Sequence, residues 1–348
     1  MENYEQYLIY GVIALVVFLL SWSLSVVVAV LAIRFKVLDK PDGERKKHKQ
    51  ATPLWGGLAL GAAILLGLWL GRGFLIIGDL EPAHWWAVAL GGLILIIGGA
   101  LDDKYNLKPS RQIIFPILAS LTVIIGGVGI EKISGPNGEL LYLGILTVPL
   151  TFLWILGMSY TTKLLDGLDG LVASLGTVAG IIIFLFTMTT RWYQPDIGFA
   201  ALVLAAACLG FLMLNWSPAR LFLGEGGSLL IGYFLGVLSV ISGGKIAIAL
   251  LIMGLPVLDV AWTIIRRIGA GHNPFKHADR QHLHFRFLDA GFSVKQTVII
   301  MSSAALLFGL SALFLQSRGK VVGLIVLGLL MIIILSFLSL LDKKRGMR

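Results

Sequence analysis

Five carboxylates, Asp102, Asp103, Asp166, Asp169 and Glu225, stand at the ends of very apolar stretches, in the segments LDDKYN, LLDGLDG and LGEGG. A charge at the edge of hydrocarbon is costly to keep and marks a site more often than a scaffold. Carboxylates gathered near Lys, Arg and His at that depth suit a metal ion and a phosphorylated substrate. Neighbouring residues on a helix diverge by about 100°, so Asp102 and Asp103 would face different ways. At the C-terminal end of a helix they also oppose the macrodipole, which prefers cations there. A pair kept for metal or substrate handling accounts for that placement better than a solvated pair. The i, i+3 spacing of Asp166 and Asp169 puts both on one side of a helical turn. Gly167 and Gly170 free the backbone to approach a metal or phosphates. Such a loop suits Mg²⁺, which takes one or two carboxylates plus substrate phosphates, with Mn²⁺ as a substitute. Glu225 opens an apolar run at its positive helix end, where an anion is favoured. Gly224, Gly226 and Gly227 around it point to contact with something bulky.

Two further loops carry bases. The first runs Arg45-Lys-Lys-His48-Lys and on to Pro53-Leu-Trp-Gly56-Gly57. Its lysines read as a topogenic loop drawn to anionic lipid. His48 and the glycine pair add to that, because a substrate phosphate could be held where glycines allow close approach at a helix start. The second loop, Arg266 to Lys295, holds His272, His277, His282 and His284, with Arg280 and Arg286 among them. A zinc site is the rival reading, yet the loop has no thiol and no H-E-x-x-H spacing. His282 and His284 face together only in an extended segment. On a helix, Arg280 aligns with His284 and His282 with Arg286. Either arrangement suits gripping a pyrophosphate.

These groups must be positioned by membrane helices. The chain has 348 residues, 57% hydrophobic and only 14% charged, against about 25% charged in soluble domains. That composition implies an all-α polytopic membrane bundle, with residues 1–348 as a single integral membrane domain. Taking about 20 apolar residues per crossing, eleven spans are expected. They run Leu8 to Ile33, Leu54 to Leu70, Ala83 to Leu101, Gln112 to Ile130, Thr147 to Thr161 and Leu171 to Thr190. Then follow Ile197 to Leu214, Gly227 to Ser242, Ile246 to Ile265, Gln296 to Gln316 and Val321 to Leu341. The N-terminal stretch has Glu2 and Glu5 but no base, and so looks like an uncleaved first span rather than a signal peptide. With the N-terminus outside, 22 of the 28 Lys and Arg fall in the inner loops and tail and 6 outside. The positive-inside rule therefore puts the C-terminus in the cytoplasm and all five acids on the cytoplasmic face of the plasma or inner membrane. This asymmetry explains the net charge of +9 without nucleic acid as a partner. Glu131 to Leu143, with Gly135-Pro136-Asn137-Gly138 at its centre, reads as a short outer β-hairpin. The lone Cys208 in an apolar run excludes an intrachain disulfide.

At these residues the chain resembles the polyprenyl-phosphate N-acetylhexosamine-1-phosphate transferases. That family includes the undecaprenyl-phosphate GlcNAc-1-phosphate transferases and the phospho-N-acetylmuramoyl-pentapeptide translocase. The likeness spans five stretches in order. They are His48 with Pro53-Leu-Trp-Gly-Gly, Asp102-Asp103, Asp166-Gly-Leu-Asp169-Gly, Asn215-x-x-Pro218 through Gly224-Glu225-x-Gly227-Ser228, and Asp279-Arg280-x-His282-x-His284. Eleven spans with the N-terminus outside are similar to the GlcNAc branch. The resemblance implies transfer of GlcNAc-1-phosphate from a UDP-N-acetylhexosamine to polyprenyl (undecaprenyl) phosphate, with Mg²⁺ and release of UMP. It implies Glu225 and Asp169 at the metal and Asp102 at the lipid phosphate, with Asp103 and Asp166 completing the polar shell. It places His48, Asn215, Arg280, His282 and His284 on the substrates and leaves room for a homodimer. UDP-MurNAc-pentapeptide is the alternative donor. This chain departs from the family's pattern in Glu225 for the usual Asp, Tyr160 and Lys163 for asparagines, and Phe285 for a second His. An ion-coupled transporter is a rival, but its carboxylates should lie near the midplane on broken helices, in halves that repeat. A noncatalytic lipid-binding scaffold would tolerate loss of the acids.

Overall fold

The computed structural model describes residues 2–40, 51–75, 81–135, 139–188, 193–241, 246–271 and 281–344. In chain order the helices are α1 (Glu2–Arg34), α2 (Gly56–Leu70), α3 (Arg72–Leu75), α4 (Pro82–Tyr105), α5 (Pro109–Gln112), α6 (Ile114–Ile125) and α7 (Thr147–Leu165). They continue with α8 (Leu171–Thr187), α9 (Pro195–Asn215), α10 (Gly224–Ile241), α11 (Ile246–Gly269), α12 (Leu283–Asp289), α13 (Val294–Phe314) and α14 (Ser317–Lys344). Eight of these are long and apolar enough to cross a membrane. Three shorter apolar helices, Gly56–Leu70, Pro109–Ile125 and Leu171–Thr187, complete the set. Each of the eleven expected spans thus has its helix. Outward faces carry bare apolar side chains, such as Leu19 and Val26 on α1 and Ile333 and Phe337 on α14. A soluble protein would not leave such bands in water. The chain is an all-α, multi-pass membrane protein.

Two boundaries differ from expectation for local reasons. The fourth span starts earlier than expected, at Pro109, is interrupted near its start and ends early, at Ile125. Pro116 has no N–H to return to the Gln112 carbonyl, and the helix is broken at Ile113, between α5 and α6. At the other end Gly126 closes α6 and Gly127 turns the chain with φ 93°. Over the fifth expected span, α7 runs four residues past Thr161, which brings Lys163 onto its last turn. The hairpin forms as expected: β3 (Lys132–Ser134) pairs antiparallel with β4 (Leu140–Tyr142), at the end of α7 remote from Asp166. A second short antiparallel pair, β1 (Leu38–Asp39) with β2 (Thr52–Pro53), draws together the two ends of the basic loop.

The centre of the bundle is α10, buried at every residue from Gly226 to Val240. A helix apolar all round belongs inside. Its first turn is wedged between α2 and α4 through glycine contacts. A Cβ on Gly57 would lie 2.3 Å from the backbone N of Gly227, and one on Gly99 would lie 2.0 Å from Cα of Gly226. Only backbone surface fits there. Gly226 and Gly227 are therefore taken up by helix packing, while Gly224, at φ 73°, lies against the Asp103 carboxylate. That packing fixes where Glu225 stands.

Candidate active site

Four chain segments bring the acids to one end of the bundle. Asp102 and Asp103 occupy the last turn of α4 and face apart. Asp103 Oδ1 accepts the backbone N–H of Glu225 at 3.0 Å, fastening the end of α4 to the start of α10. Asp102 Oδ1 accepts from the Leu107 N–H at 2.9 Å and from Gln112 Nε2 at 2.9 Å, closing the α4–α5 loop. The 100° divergence read from the sequence thus separates two jobs. Asp166 and Asp169 lie in a turn, since α7 ends at Leu165 and α8 begins at Leu171. The expected helical turn carrying both carboxylates is not formed, because Gly167 and Gly170 interrupt it and Gly170 takes φ 81°. Asp169 Oδ2 accepts from the Ala219 N–H at 3.0 Å. Asn215 is buried, receives the Gly170 N–H at 3.0 Å and donates to the Leu221 carbonyl at 2.9 Å. Its amide joins the 166–170 turn to the 216–223 loop. In the described structure it positions the acids rather than presenting itself to a ligand.

Electrostatics shows how closely the acids converge. Burial, and after it the charges of Asp103, Glu225 and Asp169, push the Asp166 carboxyl up to about 8. No hydrogen bond reaches that carboxyl among the described residues. Glu225 is paired with the Lys163 ammonium, which also lies 3.4 Å from Gln112 Oε1 and 5.3 Å from the centre of the Tyr160 ring. The donor set is all oxygen, as a hard cation such as Mg²⁺ prefers. Among the described residues no three His, Cys, Asp or Glu are spaced to hold a metal by themselves. A Mg²⁺ there would take one or two protein carboxylates and complete its shell with water and substrate phosphate.

The histidines approach the same turn. His282 caps α12 from an extended conformation, ψ 148°, so its ring stacks on that of His284 with centroids 5.7 Å apart. His282 Nδ1 meets Asp259 Oδ2 at 2.8 Å, and Asp259 Oδ1 accepts the Leu283 N–H at 2.8 Å. His284 is fully buried and neither ring nitrogen has a partner among the described residues. It faces Gly167, where a Cβ would come within 2.7 Å of Nε2. Burial first, and then His282, lower its pKa to about 3. His284 is a neutral ring beside the acidic turn and not a cation for a pyrophosphate. Arg286 turns away, donating to Ser339 Oγ at 2.9 Å and to the Leu335 carbonyl at 3.3 Å. His48 and Arg280 lie outside the described residues. The Gly56 and Gly57 N–H groups, expected to hold a phosphate, are bonded to the Phe222 and Leu223 carbonyls at 3.1 and 2.7 Å. Close packing of α2 on the 216–223 loop takes those donors.

Sequence reasoning missed Asp259 and the Lys163–Gln112 link. A lone acid inside an apolar span was the available signal for Asp259. The Lys163 ammonium is placed by contacts 51 and 62 positions away in the chain, which no local pattern displays. An apolar groove of about 540 Å³, lined by Leu307, Phe308, Leu315 and Val322, opens at the α13–α14 turn. That turn is at the far end of α13 from the histidines.

Comparison with known proteins adds the lineage. The profile of glycosyl transferase family 4 matches residues 85–243, the stretch that carries all five acids. A Bacillus subtilis protein named as a probable undecaprenyl-phosphate N-acetylglucosaminyl 1-phosphate transferase is 31% identical, over 92% of this chain and 89% of its own length. The decaprenyl-phosphate N-acetylglucosaminephosphotransferase of Mycolicibacterium smegmatis is 32% identical over 79% and 74%. An undecaprenyl-phosphate alpha-N-acetylglucosaminyl 1-phosphate transferase of Thermotoga maritima is 27% identical over 85% and 87%.

Proposed function

Since the chain belongs to glycosyl transferase family 4, we propose that it transfers GlcNAc-1-phosphate from UDP-GlcNAc to a polyprenyl phosphate such as undecaprenyl phosphate. The reaction releases UMP and initiates a lipid-linked envelope glycan. The observation that carries this reading is the convergence of Asp103, Asp169 and Glu225 on Asp166 at the end of a membrane bundle. A phosphoryl transfer between two anions needs such a place, where charge is managed and water is limited.

In the reaction, an oxygen of the lipid phosphate forms a bond to the sugar-linked phosphorus of UDP-GlcNAc. The bond from that phosphorus to the bridging oxygen breaks, and UMP leaves with the electron pair. A phosphate monoester has its second pKa near 6, so the nucleophile is already largely dianionic at neutral pH. Asp102 has one oxygen on the Leu107 N–H and Gln112 and the other available to orient the lipid phosphate or take its remaining proton. Asp103 holds the α10 N-terminus in place, and so sets the position of Glu225. Mg²⁺ held by Glu225 and Asp169 would neutralise the diphosphate and stabilise the departing UMP. His282, fixed by Asp259, and the neutral His284 line the side where the sugar phosphate would sit. The lysine and arginine asymmetry supports a cytoplasmic active site, on the side where nucleotide sugars are made. The C-terminus shares that side and the hairpin lies outside.

Purified protein supplied with Mg²⁺, UDP-GlcNAc and undecaprenyl phosphate should release UMP. Asp102→Asn and Glu225→Gln should each cut turnover by about 100-fold or more while the helical circular dichroism is unchanged. Near-normal rates in both variants would overturn these roles. A panel of UDP-sugars in the same assay identifies the donor.

A further inference from the structure

One cation is built into the acidic end and has no part in the roles above. Lys163 stands on the last turn of α7, its side chain 21% exposed, and its ammonium pairs with Glu225, itself 16% exposed. Two other groups hold the same ammonium. The Tyr160 ring, three residues earlier on the same helix face, lies 5.3 Å away. Gln112 Oε1 lies at 3.4 Å, and Gln112 is itself anchored by donating to Asp102 Oδ1 at 2.9 Å and to the Leu107 carbonyl at 3.0 Å. An ammonium held on three sides is a placed charge and not a wandering surface lysine.

We propose that Lys163 is a resident countercation of Glu225, which a divalent cation must displace before it can use that carboxylate. Ammonium and metal compete for the same oxygens, so each weakens the other's hold by the same factor. Displacement leaves Lys163 tethered by Gln112 and Tyr160, a few ångströms from its starting point. There it supplies a positive charge to the incoming diphosphate. Metal entry and substrate grip are then coupled: the anionic substrate gives Lys163 a new partner and lowers the cost of leaving Glu225. This rests on the reading of Glu225 as a metal ligand given above. It goes further in predicting weak metal binding without substrate.

The test is a Mn²⁺ titration of the purified full chain, followed by the electron paramagnetic resonance signal of free Mn²⁺, with neither nucleotide sugar nor lipid present. Lys163→Met should bind Mn²⁺ on the order of tenfold more tightly than the unchanged protein. Lys163→Arg, which keeps the charge, should stay with the unchanged protein. Adding Glu225→Gln to Lys163→Met should remove the gain, since coupling between two sites in contact vanishes when either is removed. The proposal is overturned if Lys163→Met binds Mn²⁺ no better than the unchanged protein, or if the gain survives Glu225→Gln. Because the titration contains no substrate, its outcome is separate from whether UMP is released.

Discussion

Replacing Asp166 by Asn should make the protein more stable at alkaline pH and at the same time less active. Asp166 is half-buried beside Asp103, Glu225 and Asp169, and its carboxyl is raised from 3.8 to about 8. Between those two pH values the folded protein keeps a proton that the unfolded chain has released. Stability therefore falls as pH rises through the window. The contribution is intact below about pH 4 and fully lost once the folded carboxyl ionises near pH 8. At about 1.4 kcal/mol per pH unit, the full span corresponds to about 6 kcal/mol, and the part above pH 5 to about 4 kcal/mol. Asn has nearly the same shape and carries no charge, and among the described residues no hydrogen bond to this carboxyl is lost with it. In detergent with a chelator, Asp166→Asn and the unchanged protein should melt within a few degrees of each other at pH 5. At pH 8.5 the variant should melt several degrees higher, since about 1 kcal/mol moves Tm by roughly 2–4 °C in larger domains. UMP release should fall in the variant, the pattern expected when an acid is kept for function against stability. Equal melting shifts at both pH values would refute the electrostatic argument. Undiminished turnover would refute the functional one.

Other consequences can be measured in the same way. Asp259→Asn leaves the Asp259–His282 contact and the Leu283 N–H without their carboxylate. It should cost about 1–3 kcal/mol in stability and lower kcat more than it raises KM. His284 has a folded pKa of about 3 against an ordinary 6.5. Its contribution is present above pH 6.5 and lost as pH falls towards 3, so His284→Gln should flatten the acid side of the melting curve. Gly99→Ala would push a methyl to 2.0 Å from Gly226, whereas a methyl at Gly92 finds its nearest neighbours at 3.5 Å. The first should cost about 1–3 kcal/mol or more by overpacking and displace Glu225, and the second should be near neutral in a melt.

Apolar length is a local quantity, and the spans were legible because of it. Each of the eleven expected runs became a helix, and the opposed directions of Asp102 and Asp103 followed from helix geometry alone. The DGLDG stretch was misjudged in form, since i, i+3 spacing matters only on a helix and two glycines end the helix there. Gly56 and Gly57 were free donors on paper. They proved to be bonded to Phe222 and Leu223, partners more than 160 positions away that local sequence does not reveal. Glu225 was found from its motif, but its pairing with Lys163 depends on how α7 is laid beside α10. His282 and His284 were recognised as a pair, yet Asp259, the acid that orients one of them, lies in a different helix. Motifs showed which residues gather. Only the packing showed which of them hold the others.

The central claim is that a sugar phosphate, and not a bare sugar, moves to the lipid. Incubating the protein with Mg²⁺, undecaprenyl phosphate and UDP-GlcNAc labelled with ³²P at the sugar-linked phosphorus tests it directly. The account predicts label in the butanol-extractable lipid, with one UMP formed for each labelled lipid. Release of labelled UDP, with the lipid unlabelled, would contradict it.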